Sequence, residues 1–353
     1  MKRVSIFLVA VALVVGMTGC GPILPPSQNL EIWDWYDLDA IRDNLSGNYT
    51  LMNDLDSTTA GYEELASETA NGGKGWEPIG TDTEPFTGTF DGQGYEIRDL
   101  FINRPDEHYI GLFGHVGDTA VIKNVGVVNA TVTGNERVGG LVGASSGTVS
   151  NCYAIGSTPA GEWYVGGLVG LNEGTVSNSY ATGNVTGNEK HVGGLVGSSY
   201  GTVSNSYSTG NVTGDVYVGG LVGFNWRGTV SNSYSTGNVT GNYVGGLVGL
   251  NGGTVSNSYS TGNVPGLGPG GYAGGLVGLN DGTVSNSFWD TETSGQDTSD
   301  GGTGKNTTEM QYITTFSGAG WNITTVSGIG ERNPSYIWNI VDDVTYPFLS
   351  WQS

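Results

Sequence analysis

The chain has 353 residues, of which 63 are glycine, and a formal net charge of -21. That charge makes nucleic acid and anionic membrane surfaces poor partners. Glycine is more than twice its usual share of about 7 %, yet Val, Leu, Tyr and Thr recur with it in a fixed order. This pattern is typical of a repeat protein and excludes a disordered linker.

The N-terminus predicts export. Lys2 and Arg3 precede an apolar run over residues 4–17, which is the pattern of a signal peptide. The run ends in MTGC, which resembles the lipobox of bacterial lipoproteins, where the cysteine becomes the lipidated first residue. We therefore expect residues 1–20 to be a lipoprotein signal peptide, Cys20 to anchor the chain to a membrane, and residues 21–28 to be a linker. The alternative is a signal peptide cut elsewhere, which leaves a soluble protein.

Cys152 has no disulfide partner within one molecule once Cys20 is lipidated, because the chain has only two cysteines. It takes the position that Ser179 has in the next repeat. We expect a small buried side chain there and not a reactive thiol.

Residues 29–130 are predicted to form an N-terminal cap and the first divergent coils. Residues 31–45 place Leu38, Ile41 and Leu45 at helical spacing, which indicates a short amphipathic helix. The segments that follow indicate strands and turns, with Asp91 and Gly92 as a hairpin signal. Together they should start the rod and close its end, because exposed strands at the ends of a solenoid need caps.

Residues 131–287 repeat one motif. The leucine of GGLVG recurs with spacings of 27, 27, 26, 26 and 29 residues, at Leu141, Leu168, Leu195, Leu221, Leu247 and Leu276. The segment between copies is rich in Val, Thr and Tyr and bounded by glycines, which favours strands. We therefore predict an all-β fold, a parallel β-solenoid of about 26-residue coils, each with two or three short strands.

Alternation along each repeat predicts which side chains face outward. Around residue 180, every second residue is Ser, Ala, Gly or Val and should face the core, whereas Tyr and Thr alternate with them. The tyrosines should then form an outward aromatic ladder, either as stacked structural residues or as a platform for sugar rings: Tyr153, Tyr180, Tyr207, Tyr234 and Tyr259.

Nearly all length variation falls between GNV and the next GGLVG leucine, so this part of every coil is predicted to be a loop on one edge of the solenoid. The same part holds most of the charge and the unmatched aromatic residues of the repeats. If the protein recognises a ligand, we expect it along this edge. The candidate ligand-binding residues are Trp163, Tyr164, His191, Tyr217, Tyr243 and Tyr272.

Residues 288–353 are predicted to form the C-terminal cap. The sequence leaves the repeat at Phe288, residues 307–315 indicate a short helix, and the last residues supply apolar bulk for the final coil. Four tryptophans are interpreted as core anchors: Trp289, Trp321, Trp338 and Trp351.

These motifs resemble the GLUG-repeat family of bacterial and archaeal surface proteins, in which Gly-Leu-any-Gly recurs. GLVG occurs six times here and GLFG once, and flanking stretches such as FTGTFDGQGYEIRDL and FWDTETSGQ are similar to that family's usual context. The resemblance implies a β-solenoid at the cell surface. It implies no activity, because the family's role is unsettled and its repeats accompany adhesins and non-catalytic parts of secreted peptidases.

Catalytic and metal-binding patterns are sparse. The sequence has three histidines and no HExxH or CxxC, and no GxSxG in a strand-turn-helix context. The acidic stretches 53–56 and 82–84 could meet, and Asp54, Asp56 and Asp91 offer oxygen ligands, but they match no calcium motif. We predict no enzymatic activity, no cofactor and no metal.

The sequence therefore predicts a lipid-anchored adhesin-like protein of the cell envelope that binds a glycan or a surface protein through many weak contacts. Two alternatives stay open: an architectural spacer without a ligand, and a polysaccharide lyase or hydrolase on a β-helix.

Overall fold

The computed structural model describes residues 29–265 and 272–352. These residues form a parallel β-solenoid of about seven turns with little helix, which confirms the predicted fold class. The predicted signal peptide, the anchor at Cys20 and the linker lie outside the described residues. Within the described ranges, no helix is both long and apolar enough to cross a membrane.

Each coil has four sides, and in some coils the variable side is split into two strands, so the two or three strands that the sequence predicted are too few. The coil after Leu141 runs through Val142–Ser145, Thr148–Ser150, Tyr153–Ile155 and Thr158–Gly166. These strands belong to four parallel sheets, named here the LVG, TVS, Tyr and variable sheets after their sequences. The extra corner between the TVS and Tyr sheets is an asparagine with a left-handed backbone, such as Asn178 (φ 48). Asparagine tolerates this conformation better than most residues, so the strand can bend there.

The four sheets stack strand upon strand along the rod. The LVG sheet contains Phe113–Val116, Val142–Ser145, Val169–Asn172, Val196–Ser199, Val222–Asn225, Val248–Asn251 and Val277–Asn280. The TVS sheet contains Asn29–Ile32, Asn48–Leu51, Thr89–Asp91, Val121–Lys123, Thr148–Ser150, Thr175–Ser177, Thr202–Ser204, Thr229–Ser231, Thr254–Ser256 and Thr283–Ser285. The Tyr sheet contains Glu96–Arg98, Gly126–Val128, Tyr153–Ile155, Tyr180–Ala181, Tyr207–Ser208, Tyr234–Ser235, Tyr259–Ser260, Phe288–Asp290 and Thr303–Lys305. The variable sheet contains Phe101–Asn103, His108–Ile110, Thr131–Thr133, Glu136–Gly139, Thr158–Gly166, Val185–Gly193, Val212–Thr213, Val216–Gly219, Val239–Thr240, Tyr243–Gly245 and Tyr272–Gly274.

The repeat places identical residues over one another, which fixes the register. Val176 pairs with Val203, and both are fully buried, whereas Thr and Ser on either side face outward. The leucine of every GGLVG is also fully buried. At the corner before it the coils approach closely: a Cβ on Gly194 would lie 2.1 Å from the carbonyl oxygen of Gly220. Only glycine fits there, which explains why the motif repeats with its glycines.

Polar ladders also stabilise the interior. The hydroxyl of Ser206 accepts a hydrogen bond from the backbone N–H of Ser179, 3.2 Å away, and donates to the carbonyl of Ser204. Buried Asn225 donates from its side-chain amide to the amide oxygen of Asn251, at 2.7 Å. A buried polar group costs little free energy when it is paired in this way.

The N-terminal cap differs from its prediction. Residues 31–45 form the end of a strand, an α-helix over Trp35–Asp39 and a 3-10 helix over Ala40–Asp43. The helix begins later than predicted because the Asp34 side chain caps it by accepting from the N–H of Asp37. Two further short helices follow, Tyr62–Leu65 and the 3-10 helix Ala70–Gly72.

The predicted hairpin at Asp91 and Gly92 is wrong. Thr89–Asp91 lies in the TVS sheet and the next strand, Glu96–Arg98, lies in the Tyr sheet, so this turn is a corner between two sheets. Gln93 and Gly94 both have a positive φ there. This glycine-containing turn therefore connects two sheets at a corner of the solenoid and does not join two antiparallel strands.

Residues 288–352, called here the C-terminal segment, do more than close the last coil. Ser299 and Asp300 bind backbone N–H groups of the last coil, at Val277 and Asn280. The predicted helix over residues 307–315 is two helices, Thr307–Met310 and Ile313–Ser317, and a helical turn also forms over Thr291–Ser294. The chain then folds back along the side of the rod as a three-stranded sheet of Ile323–Thr325, Trp338–Ile340 and Phe348–Leu349.

Candidate functional site

The outward tyrosines of the Tyr sheet stack into one column, called here the tyrosine ladder: Tyr153, Tyr180, Tyr207, Tyr234 and Tyr259. Neighbouring ring centroids lie 4.8–5.1 Å apart, and the planes of Tyr180 and Tyr207 differ by only 2°. This spacing is close to the distance between hydrogen-bonded strands, about 4.8 Å. The stack is therefore a direct result of the in-register pairing.

The tyrosine ladder is only partly a surface, which corrects the interpretation of it as an open platform. Tyr234 is 7 % exposed and Tyr259 only 2 %. The C-terminal segment covers them: Trp338 packs on both rings, and the Tyr259 hydroxyl donates to the carbonyl of Pro347. Burial raises the pKa of Tyr259 well above its ordinary value. This half of the ladder belongs to a second hydrophobic core.

The six predicted ligand-binding residues lie on strands and not on loops, which corrects the predicted loop edge. Trp163 and Tyr164 are within Thr158–Gly166, and His191 is within Val185–Gly193. The other three lie at or near the start of their strands: Tyr217, Tyr243 and Tyr272. One length difference is absorbed by a bulge between Gly161 and Trp163, so the pairing continues on both sides of it.

Five of these residues form a second column at the corner between the variable and LVG sheets. Together with two earlier residues it is called here the mixed ladder: Tyr109, Arg137, Tyr164, His191, Tyr217, Tyr243 and Tyr272. The first five of its residues have a positive φ, between 56° and 63°. A left-handed residue turns the chain at this corner, just before the close glycine contacts, and projects each side chain outward along the same line.

Contacts run along the whole mixed ladder. The guanidinium carbon of Arg137 lies 4.7 Å from the Tyr109 ring centroid and 5.8 Å from that of Tyr164. The rings that follow are 4.8, 5.6, 5.8 and 5.4 Å apart from Tyr164 to Tyr272. Unlike the tyrosine ladder, its rings are mostly tilted. No part of the C-terminal segment is among these ring contacts, and Tyr272 is 54 % exposed.

His191 is the most enclosed member of the mixed ladder. Its ring stacks on Phe224 at 4.6 Å and contacts Tyr164 and Tyr217, so it is only 9 % exposed. Its Nδ1 has no hydrogen-bond partner within the described residues. Burial, and to a smaller extent the charge of Lys190, lowers the pKa of this imidazole to about 4. The ring is therefore neutral at pH 7.

A charged column runs beside the mixed ladder. Glu136 pairs in register with His108 on one side and Trp163 on the other, and Trp163 pairs with Lys190. The Lys190 ammonium lies 5.5 Å from the Trp163 ring centroid. Glu136 forms an ion pair with Arg137 at 2.8 Å. Aromatic faces therefore alternate with charges of both signs across this edge.

Two contributors were missed from the sequence, Tyr109 and Phe224. A detectable signal existed: the mixed-ladder residue of each full repeat stands four positions before the GGLVG leucine, as Tyr164 does before Leu168. Counting forward from GNV hides this alignment because the length varies there. Tyr109 stands three positions before Leu112, and its hydroxyl donates to Asp82 at 2.7 Å. Burial and this bond raise the pKa of Tyr109 to about 12.

The acidic candidates have separate protein partners. Asp54 accepts from the backbone N–H of Glu96, and Asp56 accepts from Thr58, whose hydrogen bonds lower the pKa of Asp56. Asp91 accepts from Asn124 and lies 3.1 Å from the Lys123 ammonium. Among residues 29–265 and 272–352, no three His, Cys, Asp or Glu side chains are grouped to hold a metal ion.

The repeats match a known motif. The model of the GLUG motif matches five segments, residues 134–158, 161–186, 188–213, 214–240 and 240–264. These segments contain the mixed-ladder residues from Arg137 to Tyr243 and all five residues of the tyrosine ladder. The coils over residues 134–264 are thus built from repeats that match the GLUG motif.

Two curated proteins are similar to part of the chain. Halomucin of Haloquadratum walsbyi is 37 % identical over 125 residues, which is 34 % of this chain and 1 % of that protein. A candidate Gly-rich membrane protein of Evansella cellulosilytica is 36 % identical over 119 residues, or 32 % of this chain and 13 % of that protein. The chain therefore matches only a small part of the length of either relative.

Two solved structures have a similar fold. A candidate immunoglobulin A1 protease from Bacteroides ovatus has a TM-score of 0.55 at 20 % identity, covering 93 % of this chain and 94 % of its own. A structure described as IgA1 protease has a TM-score of 0.50 at 18 % identity, covering 74 % of this chain and 21 % of its own. At these identities the likeness concerns the fold alone.

Proposed function

We propose that this protein is a non-catalytic binding protein of the cell envelope that recognises glycan through the mixed ladder. The observation that carries the proposal is the uninterrupted column from Tyr109 to Tyr272, whose members apart from His191 are half-buried or exposed. Similarity to a halomucin and to a candidate membrane protein supports an envelope location. Anchoring through a lipid on Cys20 is part of the proposal.

Aromatic rings with polar edges suit sugars. A pyranose presents C–H groups that pack on a ring face, while its hydroxyls need hydrogen-bond partners at the ring's edge. The mixed ladder supplies tyrosine rings, and the column beside it supplies Glu136 and Lys190. Charges of both signs there offer acceptors and donors to hydroxyl groups. The chemistry therefore fits a polyhydroxylated polymer better than an apolar ligand.

Binding is multivalent on this proposal. Each coil offers one weak contact, and a polymer that lies along the rod meets the next contact at high effective concentration. Replacing a ring in the middle of the ladder should then weaken binding more than replacing the last ring. Tyr217→Leu should reduce affinity several-fold more than Tyr272→Leu.

Support for a non-catalytic role comes from the side-chain environment. Asp54, Asp56 and Asp91 are each engaged in local hydrogen bonds or ion pairs, and Cys152 is fully buried. Burial raises the pKa of the Cys152 thiol to about 12, so a thiolate nucleophile is disfavoured.

A glycan array with the full-length chain tests the proposal. The test variant carries Tyr164→Leu, Tyr217→Leu and Tyr243→Leu, which keep apolar bulk and remove the rings. The control carries Thr175→Ala, Thr202→Ala and Thr229→Ala on the outward face of the TVS sheet. We expect about tenfold or greater loss for the test variant only, in line with aromatic contacts of about 1.4 kcal/mol or more in total.

Two outcomes would count against the proposal. No glycan bound by the folded wild type would reject glycan recognition and favour the architectural spacer. Equal binding by both triple variants would move the site away from the mixed ladder. Circular dichroism and resistance to protease confirm that each variant is folded before binding is compared.

A further inference from the structure

A cavity of about 340 Å³ lies on a different side of the rod, where the C-terminal segment ends over the tyrosine ladder. Tyr153, Tyr180 and Tyr207 line one side and Trp351 lines the other. Its volume is at the small end of the range for small-molecule sites, about 300–1,000 Å³. The cavity has room for a ligand of about one ring and not for a folded partner.

The walls form an aromatic wedge. The centroid of the Trp351 ring lies 6.2 Å from that of Tyr180 and 5.8 Å from that of Tyr207, with the planes tilted by 33° and 31°. The indole N–H donates to the carbonyl of Asn205 at 3.1 Å, which holds the ring in place. Trp351 remains 36 % exposed, unlike the buried Trp289, Trp321 and Trp338, so its interpretation as a core anchor is wrong.

Polar groups remain available inside this wedge. The side chain of Asn178 and the hydroxyl of Tyr180 make no side-chain hydrogen bond within the described residues, whereas the Tyr153 hydroxyl donates to Glu96. Burial, followed by the effect of Tyr207, raises the pKa of Tyr180 to about 12, so its hydroxyl keeps its proton and can donate. None of the residues that line the cavity carries a charge.

We propose that this cavity binds one neutral pyranose ring, which lies against Trp351 and the outer edges of the half-buried tyrosines of the ladder. The indole of Trp351 meets a C–H face of the sugar, and Asn178 and the Tyr180 hydroxyl bond its hydroxyl groups. A charged ligand is disfavoured because it would lose solvation and gain no ion pair. An aromatic or proline side chain of a peptide would fit the walls but would leave the two polar groups unpaired.

This site goes beyond the proposed function, since it shares no residue with the mixed ladder. It also gives the C-terminal segment a second role. The segment buries Tyr234 and Tyr259 but reaches Tyr180 only through Trp351, so the same fold-back that completes a core also builds one wall of a site.

Saturation-transfer NMR on the full-length chain tests the proposal, with the methyl glycosides of glucose, galactose, mannose and N-acetylglucosamine as probes. Titration of the best probe then follows the fluorescence of the protein. The variants are Trp351→Ala, which removes one wall, and Asn178→Asp, which keeps the size and the left-handed preference of the residue but removes the amide donor. Thr202→Ala, on the outward face of the TVS sheet, is the matched control, and Tyr217→Leu reports any binding of the probe to the mixed ladder.

We expect one of the four glycosides to bind, and its affinity to fall about tenfold in Trp351→Ala and several-fold in Asn178→Asp, with no change in Thr202→Ala. Failure of all four to bind the wild type would overturn the proposal. So would equal binding by wild type and both cavity variants. Loss in Tyr217→Leu alone would place the sugar on the mixed ladder and leave the cavity without this role. Displacement of the glycoside by a proline-rich peptide that binds more tightly would assign the cavity to a peptide.

Discussion

The tyrosine ladder and the mixed ladder are built by the same repeat, yet one is half buried and the other stays open. In both, in-register coils place one side chain per turn over the next at nearly the same spacing. What separates them is the non-repeating C-terminal segment, which covers Tyr234 and Tyr259 and makes no ring contact with the mixed ladder. Repetition therefore makes stacks, and a segment outside the repeats decides which stack becomes core.

The largest expected effect is on the covered end of the tyrosine ladder. Tyr259→Ala removes a ring that is packed against Tyr234 and Trp338 and a hydroxyl bonded to Pro347. We expect a loss of about 3–5 kcal/mol of unfolding free energy, the range of large-to-alanine changes in cores. Urea unfolding followed by tryptophan fluorescence measures it, because several tryptophans lie over this ladder.

Tyr272→Ala is the matched control, at the exposed end of the mixed ladder. It should change the unfolding free energy by less than about 1 kcal/mol, because the ring is 54 % exposed and, among residues 29–265 and 272–352, stacks on Tyr243 alone. Equal losses in the two variants would remove the distinction between a structural and an open ladder. Limited proteolysis adds a second check: only Tyr259→Ala should loosen the C-terminal segment first.

The sequence predicted the features that repetition controls. The spacing of the GGLVG leucines and the alternation of small and large residues around Tyr180 were enough to predict the coil, the parallel stacking and the outward tyrosines. Each copy of the repeat carries the same information. It did not predict that Trp338 and Trp351 return to the side of the rod, since that docking depends on one unique segment. The mixed ladder was found only as scattered residues, because Tyr164, His191 and Tyr217 align when counted back from leucine and not forward from GNV.

Acid should act on the mixed ladder first. The pKa of His191 lies near 6.5 in the unfolded chain and is lowered to about 4 by burial in the fold. The unfolded chain therefore binds the proton more readily, so this contribution to stability is complete above pH 6.5 and is lost as the pH falls through 4. The loss reaches roughly 3 kcal/mol. Tyrosines 180 and 259, whose pKa values are raised, do not titrate in this range.

His191→Phe tests this contribution, because Phe keeps an aromatic ring at a position where Tyr164 and Tyr217 show that the left-handed backbone accepts one. Urea midpoints of wild type and variant between pH 7 and pH 4 should diverge as the pH falls, with the variant losing less stability. Parallel curves would mean that His191 titrates as an exposed histidine, which would contradict its enclosure by Phe224.

The smallest effect is expected behind the tyrosine ladder, at Cys152. This residue takes the place of the inward serines, and its backbone N–H already donates to the Ser179 hydroxyl at 3.1 Å. In Cys152→Ser the new hydroxyl can donate to the carbonyl of Ser150 in the way that Ser179 donates to Ser177. The lost apolar contact and the gained hydrogen bond are each about 1 kcal/mol, so the unfolding free energy should change by less than about 1 kcal/mol.

Urea unfolding measures this change in Cys152→Ser. In addition, native wild-type Cys152 should resist iodoacetamide because its thiol is fully buried with a pKa of about 12. A loss as large as that of Tyr259→Ala would mean that cysteine and serine are not interchangeable at this inward position. The interior behind the tyrosine ladder would then differ in stability from one coil to the next.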